Sequence, residues 1–368
     1  MVYIHVPFCK SFCTYCGFYS VICKTGDAAL ERYAALICEE IRARRDEILA
    51  TGGVNTLYFG GGTPSVLPLG VFRRIVSALP FEGPYDEFTV EMNPDDVSGP
   101  LLEGLTGLGV NRISLGVQSF DDAVLRRMNR RHDAAAALRA VEAVRRSGVR
   151  NLGLDLIFGF PSLSDAIWAG TIKTALELRP EHISCYQLSI EEGSVLERMV
   201  ADGVFKEASQ EQCRRQYDYL CGALAAAGYV HYEISNFALP GFEARHNSAY
   251  WSRAPYVGLG PGAHSFDGSN IRRWNSEMAD NGKYSSESEV LTAYDAAVER
   301  LMLGLRTAAG LPEAELRGIT APEGLQEALS SGLIEIAAGD SFGPRRLRIP
   351  EKRFFVSDDI IRCLMMPE

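Results

Sequence analysis

Cys9, Cys13 and Cys16 form a C-x3-C-x2-C run near the start of a 368-residue chain. Three thiolates are one fewer than a closed structural zinc site takes, and the spacing is not that of a paired C-x2-C knuckle. Three is the number a four-iron, four-sulfur cluster uses when one iron stays open to an external ligand. Two other readings of the same residues stay open: zinc completed by His5 or Cys23, and three unligated thiols in a loop. Cys23, Cys38, Cys185, Cys213, Cys221 and Cys363 lie in apolar or helical contexts and read as small packing residues. Nine is an odd count, which argues against a disulfide framework and for a reducing compartment. A net charge of −10 disfavours nucleic acid as the main partner. With 46% apolar and 23% charged residues, disorder and collagen are excluded. No run of eighteen uncharged apolar residues occurs, and the first residues lack a basic start followed by an apolar stretch. The expectation is a cytoplasmic protein without a membrane span.

Residues with this chemistry must be held by a scaffold. Short β-branched and aromatic runs at 2–7, 54–60, 87–93, 112–118, 151–159 and 182–190 alternate with amphipathic stretches. One such stretch is 133–147, where Asp133 can cap, Leu138, Val141 and Val144 repeat at helical spacing, and Gly148 ends the turn. Six β-then-α units predict an α/β fold with parallel strands and right-handed crossovers. A full barrel needs eight units, so the expectation is a partial (β/α)6 barrel over 1–235. An irregular closing segment with a polar linker at 276–289 would occupy 236–290. A small winged-helix-like domain would fill 291–368: helices at 291–308 and 313–331, two strands within 333–349 joined by Gly339 and Asp340, and a last helix at 357–365. Its basic residues, Arg345, Arg346, Arg348, Lys352 and Arg353, suit either a DNA-reading wing or a solvated hairpin packed on its own helices.

Further motifs fall where strands end, which is where barrel sites are built. Gly60-Gly61-Gly62-Thr63-Pro64-Ser65 closes one strand, Glu91-Met92-Asn93-Pro94 another, and Arg112 to Phe120, Asp155 to Ser162 and His246 to Trp251 follow. Together with Tyr3-Ile4-His5-Val6-Pro7-Phe8-Cys9, this ordered set resembles the oxygen-independent coproporphyrinogen III oxidase family of the radical S-adenosylmethionine (SAM) superfamily. The resemblance implies a radical SAM barrel in which Cys9, Cys13 and Cys16 hold a 4Fe-4S cluster whose open iron binds S-adenosylmethionine. It further implies that Gly61, Gly62 and Thr63 contact the cofactor, that Glu91 accepts from it, and that Tyr3, Tyr15, Gln118, Arg130 and Asp155 help to hold it. Arg126, Arg127, Arg130 and Arg131 crowd one segment, so a solvated face is the alternative for Arg130. Gly258-Leu259-Gly260-Pro261-Gly262 reads as loop structure rather than a dinucleotide fingerprint.

Two departures separate the chain from the porphyrinogen-oxidising members. Their fourth cysteine, two residues after the third, is replaced by Phe18, and with Tyr3 almost at the start the expectation is that their segment ahead of the Tyr-x-His motif is lacking. Both features resemble the HemW-type haem chaperones. That branch implies haem as cargo, acceptor haemoproteins as partners, an electron donor and oligomerisation as options, and the HNxxYW residues His246, Tyr250 and Trp251 as haem contacts. Read without the resemblance, a histidine beside Asn, Tyr and Trp is more often a hydrogen-bonded structural residue. His264 and His231 are weaker candidates. The alternative function is oxidative decarboxylation of coproporphyrinogen III.

Overall fold

A computed structural model describes residues 1–24, 26, 28–52, 55–279, 282–337 and 344–365. Six strands follow the predicted runs: β1 Val2–Val6, β2 Thr56–Gly61, β3 Glu87–Met92, β4 Arg112–Gln118, β5 Asn151–Phe158 and β6 His182–Gln187. All neighbours among them pair in parallel. Val2, Ile4 and Val6 are fully buried, and Tyr33 of helix Ala28–Ala43 donates to the His5 carbonyl, whereas the Tyr3 and His5 side chains, on the alternate face, border the cavity inside the curved sheet. Position 54, at the start of the second predicted run, lies outside the described residues.

The helices form where caps and apolar spacing direct. Asp133 accepts from the Ala136 N–H at 2.7 Å to start Ala134–Arg146, and Gly148 follows with a φ of +84°. Ser209 caps Gln210–Ala226 in the same way.

Closure differs from the predicted irregular segment. β8 Asn236–Ala238 adds antiparallel to β6, β7 Val230–Glu233 adds antiparallel to β8, and β9 Val257–Leu259 adds parallel to β1. The sheet order is β9-β1-β2-β3-β4-β5-β6-β8-β7, nine strands that run past the predicted barrel limit of residue 235. These added strands have three or four residues, too few to show a period. A second sheet, β10 His264–Phe266, β11 Ile271–Asn275 and β12 Ser286–Val290, takes up the end of the expected linker. Its residues Ser286–Val290 are all exposed, which is why an edge strand there reads as solvated chain.

The C-terminal part holds helices Ala293–Leu305, Glu313–Ile319, Pro322–Ser330 and Ser357–Leu364 around a sheet of β13 Leu311–Pro312, β14 Glu335–Ile336 and β15 Arg346–Arg348. The single helical stretch predicted at 313–331 is two helices, broken ahead of Pro322. Both wing strands are present and a third pairs with them; the predicted joint at Gly339 and Asp340 lies outside the described residues. The wing arginines serve their own domain: Arg345 pairs with Glu313, Arg348 with Glu335 and Glu351, and Arg346 donates to the Ala309 and Gly310 carbonyls. Among the described residues no helix is long and apolar enough to cross a membrane.

Candidate functional site

The cysteine loop leaves β1 and is tied down at both ends. Phe8–Cys9 pairs with Val21–Ile22, Asn129 donates to the Phe12 carbonyl at 2.6 Å, and the Leu196 N–H donates to the Thr14 carbonyl at 2.9 Å. The loop therefore folds over the C-terminal ends of the barrel strands. Cys9 Sγ lies 3.3 Å from Thr63 Oγ1, and Arg130 Nη1 donates to Cys13 Sγ at 3.3 Å. Burial raises the Cys9 thiol and pushes Cys16 up to about 11, with the neighbouring sulfurs adding to the rise and Arg130 opposing it. None of the nine cysteines is joined in a disulfide. Among the described residues no three Cys, His, Asp or Glu side chains converge as a single-ion site requires.

The glycine run has a visible steric cause. Gly61 has a φ of +108°, and a Cβ there would meet the His5 ring at 2.6 Å; a Cβ on Gly62 would meet the Phe8 and Val6 carbonyls at 2.9 Å and Cys9 Sγ at 3.1 Å. Only glycine lets this backbone approach the cysteine loop. Glu91 accepts from the Tyr58 hydroxyl at 2.7 Å and from the Gly61 N–H at 3.3 Å. Burial, with Asp155 adding, raises its carboxyl to about 7. No ion pair between Glu91 and a Lys or Arg occurs among the described residues, so a ligand ammonium or hydroxyl would meet an unneutralised acceptor.

Arg130 is not on a solvated face. Its neighbours divide: Arg126 and Arg127 are exposed and Arg131 pairs with Asp95 and Asp96, whereas Arg130 Nη2 donates to Asn93 Oδ1 at 2.6 Å and to the Gly116 carbonyl at 2.5 Å. Burial works against its charge, but Tyr15 and Cys13 outweigh that and hold it cationic. Tyr15 is raised by burial beside the same cysteines. Gln118 ends β4 with a φ of +66°, a left-handed value uncommon outside glycine, and is mostly buried beside Gly116. Asp155 accepts from Ser114 Oγ at 3.1 and 3.2 Å, and burial raises it while Ser184 and Arg112 oppose the rise. Tyr3 sets its hydroxyl 3.2 Å from His5 Nδ1, with its ring beside Tyr58. The predicted cluster and cofactor residues thus gather at one end of the barrel and its lumen. Their chemistry fits a cluster and a cationic, amino-acid-bearing cofactor: clustered thiols, a glycine cradle and buried acceptors.

His246 is buried in helix Arg245–Trp251, and both ring nitrogens have partners: Nδ1 lies 2.8 Å from Thr56 Oγ1 and Nε2 3.0 Å from the Tyr250 hydroxyl. Burial holds the ring neutral, lowered to about 3. As folded it is a structural plug between β2 and Tyr250, the hydrogen-bonded reading of the motif. Tyr250 borders the lumen cavity, and Trp251 is not among the residues lining it. That cavity, of about 530 Å³, is also lined by Tyr256, Arg253, Arg272, His264 and Glu299. Sequence reasoning passed over both arginines and Glu299, because isolated charges in polar chain carry no spacing signal. A shallow depression of about 690 Å³ around Lys173 and Tyr219 lies on outer helices, among none of these residues.

Residues 3–175 match the family model described as the Radical SAM superfamily. The chain is similar to the heme chaperone HemW of Lactococcus lactis, 35% identical over 319 residues that span 84% of this chain and 82% of that one. The heme chaperone HemW of Synechocystis is 34% identical over 365 residues, 94% of this chain and 85% of the relative. In fold, the chain superposes on coproporphyrinogen III oxidase HemN from Escherichia coli with a TM-score of 0.77, covering 98% of this chain and 89% of the other at 21% identity. At that identity the likeness carries the fold alone.

Proposed function

The chain belongs to the HemW family of the radical SAM superfamily, and from that membership we propose that it is a haem chaperone that takes up haem and delivers it to acceptor haemoproteins. The observation that carries this reading is the docked cysteine loop over a glycine cradle and a buried Glu91, in a chain similar to haem chaperones along most of its length. Cys9, Cys13 and Cys16 would hold the 4Fe-4S cluster; Gly61, Gly62, Thr63 and Glu91 would hold S-adenosylmethionine, supported by Tyr3, Tyr15, Gln118, Arg130 and Asp155. When bound, the cluster and cofactor supply one-electron chemistry. The chain's own part is positional. Arg130 offsets thiolate charge at Cys13 and ties it to β4 through Gly116. Glu91, at about 7, is partly ionised at neutral pH and can accept from an ammonium or from ribose. The odd count of nine cysteines supports a reducing, cytosolic setting.

Position 18 separates the chaperone reading from porphyrinogen oxidation. Phe18 is 70% exposed beside the lumen cavity and offers no thiol. The test is anaerobic reconstitution with iron and sulfide, followed by haem titration in parallel with an assay for protoporphyrinogen formation from coproporphyrinogen III. Stoichiometric haem binding without product supports the chaperone, and multiple turnovers would overturn it. Cys13→Ser should abolish the brown cluster absorption; a variant that still retains iron and sulfide at wild-type levels would remove Cys13 from the ligand set.

A further inference from the structure

We propose that His264 is the axial ligand to the iron of the haem cargo, in the lumen cavity between the barrel and helix Ala293–Leu305, with Arg253 and Arg272 receiving the propionates. The proposal rests on the chaperone reading above. A haem needs three things of its host: flat apolar walls for the porphyrin, cations for two carboxylates on one edge, and an imidazole nitrogen free to meet iron. The cavity has all three. Its volume of about 530 Å³ lies within the range of sites that enclose cofactor-sized molecules. Tyr3, Tyr250, Tyr256 and Phe266 supply aromatic wall, and the Tyr250 and Tyr256 rings meet edge to face at 4.7 Å.

The ligand follows by elimination among the six histidines. His5 lies between the Tyr3 hydroxyl and the Tyr19 carbonyl, His182 between Arg112 and the Tyr232 hydroxyl, and His246 between Thr56 and Tyr250. His132 and His231 are buried away from the cavity and bonded through Nε2. His264, at the start of β10, is exposed on the cavity wall, and neither ring nitrogen has a hydrogen-bond partner among the described residues. Partial burial, then Arg272, lowers its basicity and favours the neutral ring that binds metal.

The arginines are already arranged around carboxylates. Arg253 Nη2 lies 2.9 Å from Glu299 Oε2, and Arg272 pairs with Glu299 and, at 3.1 Å, with Glu289. Arg253 stacks over Phe266 at 4.8 Å, and its buried Nε has no partner among the described residues. A propionate can take the place of Glu299 on either guanidinium and satisfy that nitrogen. A ligand at the cavity rim, rather than in the core, also suits cargo that must be handed on.

The experiment is a haem titration of the full chain, read by the Soret band and by electron paramagnetic resonance, on wild type, His264→Ala and His264→Gly. The expected result is a histidine-ligated spectrum in wild type, its loss with affinity at least tenfold weaker in His264→Ala, and its return when imidazole is added to His264→Gly. If wild type binds haem and His264→Ala keeps both spectrum and affinity, the ligand assignment falls while the chaperone reading stands. If wild type binds no haem, both fall. Arg253→Gln with Arg272→Gln should weaken haem about tenfold but leave haem dimethyl ester unchanged; equal loss for the two overturns the propionate assignment.

Discussion

Glu91 concentrates the conflict between stability and binding in one side chain. In the unfolded chain it ionises near the ordinary 4.5, and in the fold burial lifts it to about 7, so the native state holds an extra proton between those values. Its contribution to stability is therefore full below pH 4.5, falls as pH rises through about 7, and is level above, a loss of about 3 kcal/mol in total. Glu91→Gln keeps an acceptor for the Tyr58 hydroxyl, gives up the one that faces the Gly61 N–H, and removes the titration. We expect its urea midpoint to match wild type in acid and exceed it at alkaline pH, with weaker S-adenosylmethionine binding by calorimetry. A stability difference that stays constant with pH would refute this account. That Cys9, Cys13 and Cys16 meet Gly61, Gly62 and Thr63 at one end of the barrel was legible because the spacing shows it: three cysteines on a short loop, and glycines where a strand must pass beneath it. His264 and the two arginines were not, since what distinguishes them is what surrounds their side chains. His264 has no motif like the HNxxYW run around His246, yet it is His246 whose ring is fully bonded.

At the scale of elements, legibility followed length. The six long parallel strands and the capped helices could be read from period and punctuation, whereas β9, three residues rich in glycine, could not. Beyond its backbone pairing with β1, β9 is fastened by a side chain from the turn between helices Ala28–Ala43 and Arg45–Ala50, more than two hundred positions away. Arg44 is 5% exposed; it donates to the Gly258 carbonyl at 2.8 Å and to Ser265 Oγ at 3.0 Å, and pairs with Glu40 and Glu47. Glu40 in turn accepts from the Gly260 N–H and from Asn275. One buried ion pair thus fastens both the barrel edge and the sheet that carries His264. Arg44→Met strands a buried carbonyl and an uncompensated carboxylate, and should cost about 3 kcal/mol. The check is urea unfolding at neutral pH; a loss below about 1 kcal/mol would mean that apolar contacts, not Arg44, hold this edge.

Across the whole molecule, the cavity is shared between the barrel and the C-terminal part, so the two must stay docked for the site to exist. The joint is the turn after helix Ala293–Leu305. There the Ile234 N–H donates to the Arg306 carbonyl at 3.0 Å, the Ala308 N–H to the Tyr232 carbonyl at 2.9 Å, and Arg346 and Arg348 bind the carbonyls of Ala308, Ala309 and Gly310 from the other side. Backbone bonds that extend a barrel edge strand into the neighbouring unit make the two unfold together. All three tryptophans, Trp168, Trp251 and Trp274, lie before residue 291, so fluorescence reports the barrel and the second sheet while far-ultraviolet dichroism reports every helix. Wild type should show coincident denaturation curves by the two probes. Ala308→Pro removes one donor from the joint and should separate them, with dichroism lost first as the C-terminal helices melt and fluorescence holding to higher urea. Curves that remain superimposed in the variant would show that side-chain packing alone couples the halves.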